Sequence, residues 1–359
     1  MDGLHLYCVI RAVRATELGP VGLAFPATLT GLAGQQVLAI PHGDLAAVVS
    51  TSPVRDYRSL KKAEVIAVLF AHQAAIEQVM QTHTVVPVKF GTMARDAEEV
   101  REILEGGQAD LRHALDAVEG KIELDLVARW SDLGPILREI GEEDEIRKFT
   151  EAAAAQGAGL TREARIEIGR VVKARLDRMR EERAAEIMGS LKALARDACP
   201  HALLDDAMIL NVALLVERAR EGALSEALAR LNDRYGERID FRCVGPLPPY
   251  SFSTVEVHRF APAEIEQASR LLGVKPRASL RDVKAAYRRF ALEHHPDRRR
   301  DDPGRGGPFP AGSEAYQMLS AYSQTLTPSR DADDRAAIAV RLLGRAGAVA
   351  GQPMEAARA

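Results

Sequence analysis

A chain of 359 residues, 47% hydrophobic and 28% charged, has apolar material for two or three buried cores, which excludes wholesale disorder. Its net charge of −3 is uneven: residues 262–330 balance at +4 and residues 1–261 at −7, which argues against a nucleic-acid surface spread over the main body. Cys8, Cys199 and Cys243 are far apart and lack any CxxC pair, so they fit reduced cytoplasmic thiols and not a disulfide framework or zinc site.

The N-terminal MDGLHLYCVIRA has no basic region followed by a long apolar one, and no stretch approaches the roughly 18 apolar residues of a membrane span. A cytoplasmic protein without a membrane span is expected. Residues 4–13 form a β-rich run, and 45–50 (LAAVVS) a second. Residues 59–82 have helical spacing, and 85–90 (VVPVKF) read as a strand closed by Gly91. Residues 96–118 predict a charged amphipathic helix, and 122–130 (IELDLVARW) alternate as a half-buried strand does. This interleaving predicts an α+β, ferredoxin-like domain with a mainly antiparallel sheet over residues 1–131.

Helical stretches follow at 133–155 and 161–198, separated by a break at 156–159 and together predicting a long hairpin. Thr161 is a candidate N-cap. Ile166, Val171, Val172, Leu176, Met179, Ile187, Leu191 and Leu194 form an intermittent seam, suited either to packing within the hairpin or to meeting a partner. After Pro200 the pattern returns to β: 208–216 (MILNVALLV), a helix at 225–235, and strands at 238–244 and 253–259. Residues 132–261 are therefore read as the hairpin plus a second α+β domain. Within GPLPPYSF (245–252), the three prolines with Tyr250 and Phe252 are read as locking this sheet in preference to anchoring a partner. Val85, Val86, Val88 and Phe90 are likewise read as sheet core.

Residues 280–293 predict another amphipathic helix. Val283, Tyr287 and Phe290, with Ala286 beside them, share its apolar face; Arg281, Lys284 and Arg288 lie opposite, with Arg289 on the flank. Basic residues away from a core are usually just a solvated face. Here the helix runs into His295, Pro296 and Asp297. The proline cannot continue the helix and biases His295 towards an extended conformation, so the tripeptide reads as an exposed loop. His294 reads as an ordinary helix-end residue. Residues 298–311 read as a loop, and 313–326 as a helix carrying Met318, Ala321 and Tyr322. Residues 331–359 are expected to be a flexible tail, partly helical at 334–343. The short junction at 260–262 predicts that residues 1–261 fold alone.

Two resemblances organise these readings. LYCVIRA (6–12), HTVVPVKFGTM (83–93), MILNVALLV (208–216) and GPLPPYSF, in this order, make residues 4–258 similar to the gas vesicle GvpL/GvpF family. That resemblance implies a cytoplasmic, gas-vesicle-associated accessory protein with a two-domain α+β architecture; some family members bind the small hydrophobic shell protein. Residues 262–330 resemble a DnaJ-type J-domain, a small all-α module. This implies a DnaK-type chaperone as partner, with His295, Pro296 and Asp297 as the stimulatory loop and Arg281, Lys284, Arg288 and Arg289 as docking residues. Where the J-domain pattern carries apolar residues beyond Tyr322, this chain has Gln324 and Thr325.

The chain contains no GxxxxGK[ST], no GxGxxG after a strand, no HExxH and no GxSxG, and its nine histidines cluster only at His294 and His295. The acidic run 142–145 (EEDE) lacks a second ligand cluster. No catalytic, cofactor or metal site is therefore expected. The expectation is an assembly factor that binds the shell subunit, meets other vesicle accessory proteins and recruits the chaperone. The alternative is a general J-domain co-chaperone for other aggregation-prone clients.

Overall fold

The computed structural model describes residues 2–12, 23–25, 29–54, 60–154, 161–294, 309–325 and 337–344. These form an α+β protein with antiparallel sheets, divided into two compact units. One is built on Met1–Ala117 with Thr254–Leu343, the other on Val118–Ser253.

The first unit holds β1 (Asp2–Arg11), β2 (Leu23–Ala24), β3 (Val37–His42), β4 (Leu45–Pro53), β5 (Val86–Pro87) and β6 (Met93–Ala94). Their order is β2-β3-β4-β1-β5, with β6 also pairing β1. Leu6 to Ile10 are all buried, so β1 is covered on both faces. The expected strand at 85–90 shrinks to two residues, because Pro87 has no N–H to offer a ladder. Val85, Val86 and Val88 are nevertheless core. Helix α1 (Lys62–Met80) lies between β4 and β5, and α2 (Ala97–Gly106) and α3 (Gln108–Val118) follow β6. The helix expected at 96–118 is broken at Gly107, where an added Cβ would stand 2.6 Å from Val340 Cγ1. Asp96 caps α2, accepting from the backbone N–H groups of Glu98 and Glu99.

The same unit contains β11 (Thr254–Phe260), three helices, α8 (Pro262–Leu272), α9 (Leu280–His294) and α10 (Phe309–Thr325), and then β12 (Ala337–Leu343). Here the structure departs from expectation. Residues 337–343 are not helical: they pair antiparallel with β11 along its whole length, from Thr254↔Leu343 to Phe260↔Ala337. The sequence AIAVRLL has apolar periodicity too short to separate strand from helix, and the free edge of β11 decides it. Residues 1–261 therefore lack the strand that β11 pairs with, and α8, α9 and α10 lie between the two strands of a ribbon.

The second unit includes β7 (Lys121–Trp130), a strand expected within the N-terminal domain 1–131. It continues through α4 (Leu133–Glu142), α5 (Asp144–Ala154), α6 (Arg162–Leu191), β8 (Ala195–Pro200), β9 (Met208–Glu217), α7 (Glu221–Tyr235) and β10 (Ile239–Leu247). The strand order β10-β7-β9-β8 with this β-α-β-β-α-β connectivity is ferredoxin-like. That arrangement belongs to this sheet; the N-terminal sheet is ordered differently. Residues 195–198, expected as the end of a helix, are the edge strand β8, whose pairing with β9 overrides weak local propensity.

Alternation along β7 sends Ile122, Leu124, Leu126, Ala128 and Trp130 towards the helices, where they meet Leu176, Ile187 and Leu191 of the expected seam. Ile166, at the start of α6, is exposed. Thr161 caps α6 through Ala164 N–H, and Arg175 clamps the Glu143 carboxylate at 2.8 and 2.9 Å, so this acidic run ties the helices together.

On the other face of the sheet Phe252 packs against Ala213 and Leu215, as the locking role of GPLPPYSF requires. Next to it, the buried Glu123 carboxylate accepts hydrogen bonds from Ser251 N (2.8 Å) and Ser251 Oγ (2.7 Å), and His201 Nε2 lies 3.3 Å from that hydroxyl. Burial pushes the Glu123 carboxyl up to about 7; the bonds from Ser251 oppose the shift, and Asp125 adds to it. Folded Glu123 keeps a proton that the unfolded chain releases near pH 4.5. Its contribution is complete below pH 4.5 and is lost as pH rises through about 7, about 3 kcal/mol in all. Glu123→Gln should therefore stabilise β7 and β9 at pH 8 and bring no gain at pH 4, measured by amide hydrogen exchange. A gain of equal size at both values would show that Glu123 does not titrate in the fold.

Candidate functional site

The helical module is built from a few local rules. Pro262 opens α8 at its first turn, where a missing N–H costs nothing. Ser279 starts α9: its Oγ accepts from Asp282 N at 3.2 Å and donates to the Asp282 carboxylate at 2.7 Å. Val283, Ala286 and Phe290 are buried in the module core with Ile265, Leu272 and Leu319. Tyr287 stacks on Tyr316 with ring centroids 4.4 Å apart, and its hydroxyl meets Ser313 Oγ at 3.0 Å. Helix α10 can approach this closely because residue 312 is glycine; a Cβ there would stand 2.0 Å from the Phe290 ring.

Burying that face of α9 turns the other one outward. Arg281, Lys284, Arg288 and Arg289 are all exposed, and none forms an ion pair among the described residues. The one carboxylate in the helix's first turn, Asp282, is engaged by Ser279. The result is a positive strip on a fixed helix, suited to a negatively charged surface. His294 ends the helix, its ring 4.3 Å from that of Phe290. His295, Pro296 and Asp297 lie outside the described residues, as do 298–308 and 345–359; of the loop expected at 298–311, residues 309–311 belong to α10.

Comparison with known proteins fits both parts of this architecture. The family model described as gas vesicle synthesis protein GvpL/GvpF matches residues 3–254. The chain belongs to the GvpL/GvpF family. Gas vesicle protein F of Streptomyces sp. (strain CB03234) is 29% identical over 218 residues, covering 61% of this chain and 88% of that protein. The crystal structure of the gas vesicle protein GvpF from Anabaena sp. PCC7120 superposes with a TM-score of 0.59 at 21% identity, covering 70% of this chain and 98% of that one, a likeness of fold. Residues 270–325 match the DnaJ domain. The chaperone protein DnaJ of Janthinobacterium sp. (strain Marseille) is 45% identical over 65 residues, which are 18% of this chain and 16% of that protein. Neither match is to a family of catalytic enzymes. A GvpL/GvpF body combined with a DnaJ domain points to a gas vesicle-related co-chaperone.

One surface escaped the sequence reading. The last two turns of α1 bury His72, Ala75, Ile76, Val79 and Met80, yet its first two leave Ile66, Leu69 and Phe70 exposed, Phe70 by 68%. These three are spaced i, i+3, i+4 and share a face. Among the described residues α1 is also the one helix long and apolar enough, by length and composition, to cross a membrane, contrary to the expectation that no stretch approaches this; its second half is core. The available signal was a helix apolar all round, where a simple surface helix carries one stripe.

Titratable clusters in the first unit serve the core. His5 Nε2 and His72 Nδ1 are 2.9 Å apart, and both rings are buried beside Tyr7 and Phe90. Burial holds His5 down to about 3, with the neighbouring His72 adding to it; burial also lowers His72 to about 4, against a hydrogen bond with the Val88 backbone. Among the described residues no group of three His, Cys, Asp or Glu is placed to hold a metal ion. The pair stays neutral where the unfolded chain takes up protons. Its contribution is complete above pH 6.5 and is lost as pH falls through about 4 and then about 3. Lowering the pH from 7 to 5 should cost the first unit about 2 kcal/mol per histidine, read as a lower urea midpoint for exchange of the β1 amides. Unchanged protection of β1 at pH 5 would mean that the pair is solvated.

Proposed function

We propose that this protein is an accessory factor of gas vesicle assembly that holds the hydrophobic shell subunit and recruits a DnaK-type chaperone to it. The observation that carries the reading is the insertion into a GvpL/GvpF body of a DnaJ-domain helix whose exposed basic face forms no ion pair among the described residues. His295, Pro296 and Asp297 form the loop that stimulates the chaperone's ATPase. Arg281, Lys284, Arg288 and Arg289 dock the chaperone through long-range charge attraction, which salt weakens. A strongly apolar shell subunit is aggregation-prone before assembly, so keeping it beside an ATP-driven chaperone has a physical use. The exposed Ile66, Leu69 and Phe70 support apolar client binding by the GvpL/GvpF body. The protein acts in the cytoplasm, at the growing vesicle and among other vesicle accessory proteins, and does no chemistry of its own.

His295→Gln should reduce stimulation of the cognate chaperone's ATP turnover to its basal rate and leave capture of purified shell subunit unchanged. Reversing the charge at Lys284 (Lys284→Glu) should weaken stimulation severalfold, with the difference shrinking as salt is raised. Equal stimulation by wild type and His295→Gln would refute the role of the loop. Recovery of a broad client set without the shell subunit would identify a general co-chaperone instead. Deleting the gene in a vesicle-forming host should reduce or abolish vesicles.

A further inference from the structure

The ribbon β11–β12 is tied at both ends of its width. One edge of β11 carries the ladder to β12. At its other edge the Val255 carbonyl accepts from Lys89 N at 2.8 Å, and Val88 forms a parallel bridge to Val255. Side chains add to this. Lys89 pairs with Glu256, and Arg259 Nε donates to Glu99 Oε1 at 2.6 Å while its guanidinium also reaches the Met93 carbonyl. Glu99 is 3% exposed and accepts from Arg95 N and Nε as well. Burial alone would push its carboxyl up; the bonds from Arg259 and Arg95 outweigh that and hold it below the usual range. From the opposite strand, Val340 fills the space left by the missing side chain of Gly107.

The ribbon is joined just as closely to the helical module. Phe260, the last residue of β11, is buried in the module's own core and meets Tyr322 at 5.5 Å between ring centroids. A single residue, Ala261, separates β11 from α8. A flexible linker of several residues would let the module sample many orientations. One residue between two packed elements does not.

We propose that β11–β12 is a rigid clasp that makes the N-terminal sheet and the helical module one body, so that a partner on α9 is held at one orientation to that sheet. Only the use of the clasp rests on the reading of α9 as a docking helix; the rigidity rests on the contacts above. High local concentration would follow from any tether. Fixed orientation follows only from a clasp, and it confines the chaperone's reach to what the N-terminal unit presents on one side.

The test is a distance measurement on the intact chain. Spin labels at His113→Cys on α3 and Ala285→Cys on α9, both exposed, in a background of Cys199→Ser and Cys243→Ser, should give one narrow distance distribution. Ending the chain at residue 326 removes β12 and should broaden the distribution roughly twofold or more. Gly107→Val, which drives a side chain into Val340, is the milder variant should the shortened chain fail to fold, and should broaden it in the same direction. A broad distribution in the intact chain overturns the clasp. So does an unchanged narrow one in folded variants, which would assign the rigidity elsewhere. Neither result depends on a chaperone being bound, so loss of this inference and loss of the proposed function are told apart.

Discussion

Both edges of β11 must find hydrogen-bond partners, and they find them in distant parts of the chain. Residues near Val88 serve one edge and β12 the other. An unpaired edge leaves its N–H and C=O groups to find other partners, so the return of the chain after α10 supplies bonds that β11 would otherwise lack. The buried Glu99–Arg259 contact depends on the same strand, as does the placement of Phe260. A three-helix module is small, and domains of about 60 residues are marginal on their own. Taking Phe260 into its core extends the apolar surface it can bury.

Elements with strong periodicity were legible in the sequence. The apolar face Val283, Ala286 and Phe290 is buried as its spacing demands, and β7 alternates between core and open face. What was lost is what tertiary pairing decides. Residues 195–198 and 337–343 are short runs whose local preference does not fix their state; both became edge strands because a neighbour offered a free edge. The break at Gly107 reflects contact with Val340, more than 200 positions away in the chain, and no local pattern carries such information. The buried and exposed faces of α9 were legible, because they are defined by the helix itself. The exposed start of α1 was not, since an all-apolar helix reads as buried until its packing is seen.

The two surfaces most open to partners sit in the same unit and differ in physical kind. On α9 the attraction is long-ranged and screened by salt; on α1 it is short-ranged and proportional to the apolar area removed from water. On the proposed reading, encounter and holding rest on different chemistry, so salt conditions that weaken one leave the other largely intact. The second unit, with its ferredoxin-like sheet, carries neither basic strip nor exposed apolar helix face of this kind among the residues described here.

The position of the module inside the ribbon also imposes an order of events during synthesis. Chains fold from the N-terminus as they emerge, and β12 is made after α8, α9 and α10. Until it appears, β11 has one partnered edge and the three helices hang from a strand that is not yet held. Their local contacts can form early, but their orientation cannot be set. A nascent chain therefore passes through a stage in which α9 exists without its final placement, and this unit acquires its final geometry only when β12 is threaded home.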